Sequence, residues 1–95
     1  MIKSTFTQMK QGQDLIQILP NATTKELYFY VKAFKLVNQK AFYTYCQQHK
    51  QANPAFDQML KSILDDHYPP LEHCHPQEKG YEGLDIYVNI AKTIF

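Results

Sequence analysis

Both cysteines and all four histidines of the chain fall between positions 46 and 75, and they are the side chains best suited to chemistry. Cys46 and His49 stand three apart, so a helix places thiol and imidazole on one face. His67 follows, and His73-Cys74-His75 lies in a Pro-rich stretch. A structural zinc ion takes four ligands in a tetrahedron, with thiolate and imidazole the usual donors. Cys46, His49, Cys74 and His75 are the set that would supply them. Their spacing matches no standard zinc pattern, and neighbours such as Cys74 and His75 point apart along an extended loop. The competing reading makes Cys46 a small buried apolar residue and leaves the loop histidines in water. Zinc is therefore the alternative, and no cofactor is the primary expectation.

Catalysis has weaker support. Cys74 beside His73 and His75 contains the materials for a thiolate nucleophile and its base, but sequence neighbours rarely face each other across a cleft. The pair Asp65-Asp66 reads as a solvated helix end. Gly12, Gly80 and Gly83 are the only glycines, so no Gly-rich phosphate loop exists. The chain is not expected to be an enzyme.

These residues need elements to carry them, and the pattern is helical. Phe6, Met9, Leu15, Ile16 and Leu19 recur on roughly one face of residues 4–19, with Ser4 or Thr5 as cap and Gly12 as an interruption. Gly12 leaves room for a short turn followed by a helix over 13–19. After Pro20, Thr23 or Thr24 caps a segment without Gly or Pro that runs to about Gln51, with Glu26 favourably placed in its first turn. That spacing predicts one long helix. Asn53-Pro54 restarts the chain, and Phe56, Met59, Leu60, Ile63 and Leu64 repeat at helical spacing. Residues 69–83 read as loop. From Leu84 to Phe95 the apolar residues suit a helix, with a strand over 84–90 as the alternative. The expected fold is all-α: a small bundle of about four helices around one long central helix.

The expected long helix has two apolar faces at about 100° per residue. Leu27, Tyr30, Val31, Phe34, Val37, Ala41, Phe42 and Tyr45 form the broad one and should be core. Phe29, Leu36 and Tyr43 form a narrow stripe at heptad spacing, flanked by Lys25, Lys32 and Lys40. In a domain this small a central helix is hard to cover on two sides, so the stripe is either a second core face or an exposed seam. Charge divides along the chain. Residues 1–50 carry seven lysines against Asp14 and Glu26, whereas residues 51–95 carry Lys61, Lys79 and Lys92 against seven acids. The basic half invites a partner that is acidic at the contact.

All ten basic residues are lysine, which removes the bidentate arginine readout of guanine edges and phosphates. A helix-turn-helix also needs a break that residues 25–51 do not signal. Non-specific nucleic-acid binding through the basic half is thus the third reading. A second copy of the chain is a further candidate partner, because Ile94-Phe95 should pack against something. With 95 residues the chain is expected to be one domain over 1–95, and no window is apolar enough for a membrane helix. No secretory signal is visible at Met1–Thr7, so the expected compartment is the cytoplasm with both thiols reduced. The expected function is a small protein-binding module, a regulator, inhibitor or adaptor, acting through Lys25, Phe29, Lys32, Leu36, Lys40 and Tyr43.

Overall fold

The computed structural model describes the backbone of residues 1–65 and 83–95, with side chains for 1–63 and 83–95. Among the described residues the chain forms six helices and no strand: α1 (Ile2–Lys10), α2 (Leu15–Ile18), α3 (Thr24–Val37), α4 (Gln39–Ala52), α5 (Pro54–Asp65) and α6 (Leu84–Lys92). The all-α expectation holds, and residues 84–90 are helix rather than strand. Cys74, His75, His67, His73, Asp66 and all but Gly83 of the loop expected over 69–83 lie outside the described residues, as does the side chain of Asp65.

Local chemistry explains most boundaries. α1 begins at Ile2, ahead of the expected Ser4 or Thr5 cap, and ends before Gly12, whose φ of 93° suits a residue without a Cβ. The Asp14 carboxylate accepts the Ile16 N–H at 2.9 Å and so caps the single turn of α2. The Thr23 hydroxyl accepts the Glu26 N–H at 3.2 Å to open α3. Asn53 accepts the Ala55 N–H at 3.0 Å, with Pro54 in the first helical position of α5.

One boundary corrects the sequence reading. The long helix expected over residues 24–51 is two helices, α3 and α4, joined at Asn38. Asn38 sits at φ −150° and ψ 85°, outside the helical region. Its N–H still donates to the Phe34 carbonyl at 2.9 Å, while its side-chain oxygen accepts the Ala41 N–H at 3.1 Å. Asparagine competes with the helix for backbone partners, which makes it both stop and start signal here. Asn38→Ala removes that cap, and a loss of about 1 kcal/mol is expected from urea denaturation. A change under a few tenths would mean that packing alone holds the joint.

α3 is the centre of the bundle. It packs against α4, α5 and α6, while α1 packs on α6 and α2 on α5. Every residue from Tyr28 to Lys35 is buried, so α3 has lost its distinction between core and solvent faces. Aromatic rings fill much of the space around it. Phe6 meets Tyr30 edge-on at 5.1 Å and Phe95 at 5.7 Å. Phe95 in turn stacks on Phe34 at 4.0 Å with only 11° between the planes, so the expectation that Ile94-Phe95 packs against something is met within the chain. Tyr87 of α6 sets its edge against Phe29 at 5.3 Å and Tyr30 at 5.0 Å.

A polar joint fixes α4 from its other side. The Tyr45 hydroxyl donates to the Gln13 carbonyl at 2.7 Å and accepts the Leu15 N–H at 2.9 Å. The Asn53 amide donates to Asp14 Oδ2 at 2.7 Å, and His49 Nδ1 stands 3.9 Å from the same oxygen. The turn between α1 and α2 is thereby tied to α4 and to the start of α5, which sets the angle at which α4 presents its outer side.

Candidate functional site

The residues of the narrow stripe meet different fates because the helix breaks between them. Phe29 is 5% exposed and belongs to the core, and Lys32 is 1% exposed beside it. Lys25 is exposed, with its ammonium 5.6 Å from the centre of the Phe29 ring. That half of the stripe takes the core alternative. Past the break, Leu36 is 48% exposed and Tyr43 is 50% exposed, and Lys40 is exposed between them in sequence. The heptad seam does not exist as one surface. What remains is a corner at Asn38 with two half-exposed apolar side chains and a lysine.

α4 shapes that corner into a ridge. From Gln39 to Ala52 it carries no acidic residue, and up to its terminal Ala52 its exposed positions are Lys, Gln, Thr and Tyr. On one flank lies a groove of about 560 Å³, floored by Phe34, Ala41 and Phe95 and edged by Lys10, Lys40 and Thr44. On the other flank lies a hollow of about 380 Å³ between Tyr43, Cys46, Gln47, Lys50 and Gln51. Lys35, 7% exposed, places its ammonium 5.4 Å from the centre of the Tyr43 ring and so helps to hold that side chain in place. Lys40 has no ion pair among the described residues.

Lys10 and Phe95 were absent from the expected site. Both come from the chain's ends, and Lys10 is placed by a hydrogen bond from its ammonium to the Ile94 carbonyl at 2.8 Å. A lysine in the last turn of a helix was visible in the sequence, but its distant acceptor was not.

The helical half of the expected zinc set is distributed over two environments. Cys46 is 7% exposed and lines the hollow beside Tyr43. His49 leans the other way, its ring 4.3 Å from Tyr45 and 5.4 Å from Phe56, toward Asp14. No group of three or more His, Cys, Asp or Glu side chains gathers among the described residues, and the other half of the set, Cys74 and His75, lies outside them.

Burial pushes the Cys46 thiol up from an ordinary 9.0 to about 11, against the opposing pull of Lys50 and Lys35. Burial likewise keeps the Tyr45 phenol neutral, far above the usual tyrosine range, despite the Leu15 hydrogen bond that acts the other way. A pKa raised on folding favours the neutral form. The Cys46 contribution is thus fully present below pH 9 and is lost as pH rises toward 11. At pH 8 the shift lowers the thiolate fraction roughly a hundredfold. A thiolate of higher pKa is also the better nucleophile, so in a Cys74→Ser background Cys46 is expected to react with a disulfide reagent at least roughly tenfold more slowly than in urea-unfolded protein. Equal rates in the two states would show that the thiol is open to solvent.

No protein-family model, curated protein or solved structure matches the chain.

Proposed function

We propose that this protein works by contact, as a small cytoplasmic binding module of the regulator, inhibitor or adaptor type, through the outer face of α4 and the corner at Asn38. The observation that carries the reading is the pairing of half-exposed Leu36, at the end of α3, with half-exposed Tyr43 and with Lys40 on the acid-free α4. Half-exposed apolar side chains beside cations are the ingredients of an interface core and its polar rim. The partner is a protein that is acidic at the contact. An isologous dimer through this face would set Lys40 and Lys50 of one copy against those of the other, so charge opposes self-pairing.

Nucleic acid fits less well. The break at Asn38 does supply an interruption within residues 25–51, but it is a one-residue joint rather than the turn of about three to four residues that a helix-turn-helix uses. The absence of arginine still removes the strongest readout device.

Site-specific photocrosslinking in cells tests the reading. With a benzophenone amino acid at Tyr43, covalent adducts to an acidic protein are expected; the same probe at Ile86, which is 54% exposed on α6, should give none. Adducts of equal yield at both positions, or at neither, would sink it.

A further inference from the structure

We infer that the groove beside α4 is a socket for an acidic peptide segment, which inserts one large apolar side chain against Phe34, Ala41 and Phe95 and sets a carboxylate against Lys40. This rests on the contact reading above and assigns its ligand chemistry.

The floor is apolar. The partly exposed ring of Phe95 is stacked at 4.0 Å on Phe34, which is 2% exposed, so the surface offered to an incoming side chain is backed by the core. Ala41 keeps the α4 wall low where a larger residue would fill the space. The volume, about 560 Å³, falls within the range of roughly 300–1,000 Å³ typical of ligand sites.

The rim selects charge. Among the described residues, Lys10 and Lys40 are the only cationic side chains that edge the groove, and no Asp or Glu side chain lines it. The two lysines are not equivalent. Lys10 already donates to the Ile94 carbonyl at 2.8 Å, whereas Lys40 has no ion pair among the described residues. Lys40 is therefore the cation that meets the carboxylate, and Lys10 adds positive potential while it holds the chain end in place. Thr44 and Gln48 continue the wall with neutral donors and acceptors, which suit an amide backbone better than an acyl chain. Two lysines are also too few to anchor a run of phosphates.

A dodecapeptide phage library panned on the immobilised protein tests the assignment, with Ala41→Phe, which fills the groove, as the counter-selection. The expected winners carry one large apolar residue bracketed by Asp or Glu. The affinity of the best synthetic peptide, read by fluorescence anisotropy, should fall roughly tenfold with Lys40→Glu and be lost with Ala41→Phe. Lys61→Glu, on the exposed face of α5, should leave it unchanged. Circular dichroism checks that Ala41→Phe is folded. If that variant does not fold, Thr44→Trp blocks the same wall one turn further along. Winners that are basic, that lack an apolar residue or that bind Ala41→Phe equally well overturn the socket, as does a panning that enriches nothing. A sedimenting dimer that Ala41→Phe dissolves overturns it in favour of a second copy of the chain. In any of these cases, crosslinks from position 43 would leave the contact reading standing while the socket falls.

Discussion

Phe6→Ala is expected to cost about 3–5 kcal/mol, a large share of the stability of a domain this size. Phe6 is fully buried and joins three parts of the chain: its own helix α1, Tyr30 of α3 at 5.1 Å and Phe95 at 5.7 Å. Truncation removes most of a large apolar side chain and two edge-on ring contacts, each worth about 0.5–1.5 kcal/mol beyond buried area. A domain of this length has about 5–14 kcal/mol in total. The loss should lower the melting temperature by roughly 15–30 °C, with Phe6→Leu losing much less. Calorimetry on the two variants decides it, and a loss below 2 kcal/mol for alanine would mean that the core collapses around the gap. The variant also bears on the groove. Phe95 rests on both Phe6 and Phe34, so loosening its seat should weaken a groove ligand at temperatures where the fold still holds.

The sequence was most legible where a single residue type decides a local event. Thr23, Asn53-Pro54 and the turn at Gly12 punctuate the chain as their chemistry requires, and the apolar repeat of α5 was plain. The face expected to be core largely is: Tyr30, Val31, Phe34, Phe42 and Tyr45 are buried. Asn38 escaped notice because a lone asparagine within an uninterrupted helical pattern costs little in propensity. Its side chain becomes decisive only when tertiary packing favours a bend. The fate of the narrow stripe followed from that one residue. With α3 ending at Val37, packing partners surround Phe29 and Lys32, while Leu36 and Tyr43 fall at the corner where no described element covers them.

The groove was illegible for a different reason. Its floor joins Phe34 to Phe95 and its rim joins Lys10 to Lys40, pairs far apart in the chain with no shared periodicity. Heptad spacing drew attention to residues along one helix, whereas the hollow arises between helices. The polar joint around Asp14 was hidden in the same way, since Asp14, Tyr45 and Asn53 signal nothing together until the chain brings them within hydrogen-bond reach.

That joint supports the second large effect. Asp14→Ala is expected to cost about 2–4 kcal/mol, although the carboxylate lies at the foot of a four-residue helix. Asp14 is 5% exposed and accepts hydrogen bonds from the Ile16 N–H at 2.9 Å and the Asn53 amide at 2.7 Å. Alanine leaves both donors without that acceptor in a site largely closed to water, and such orphaned groups cost about 1–3 kcal/mol each. Relief from burying the charge offsets part of this, which is why the estimate stops near 4. A double-mutant cycle with Asn53→Ala isolates the cross-element bond, and a coupling of about 1–2 kcal/mol is expected. Coupling near zero would assign the whole loss to the α2 cap. The joint also orients α4, so amide NMR shifts should reach beyond Gln13 and Leu15 to Lys40, Ala41 and Thr44 at the groove. Shifts confined to residues 13–16 would show that the pitch of α4 is set by its packing on α3 alone.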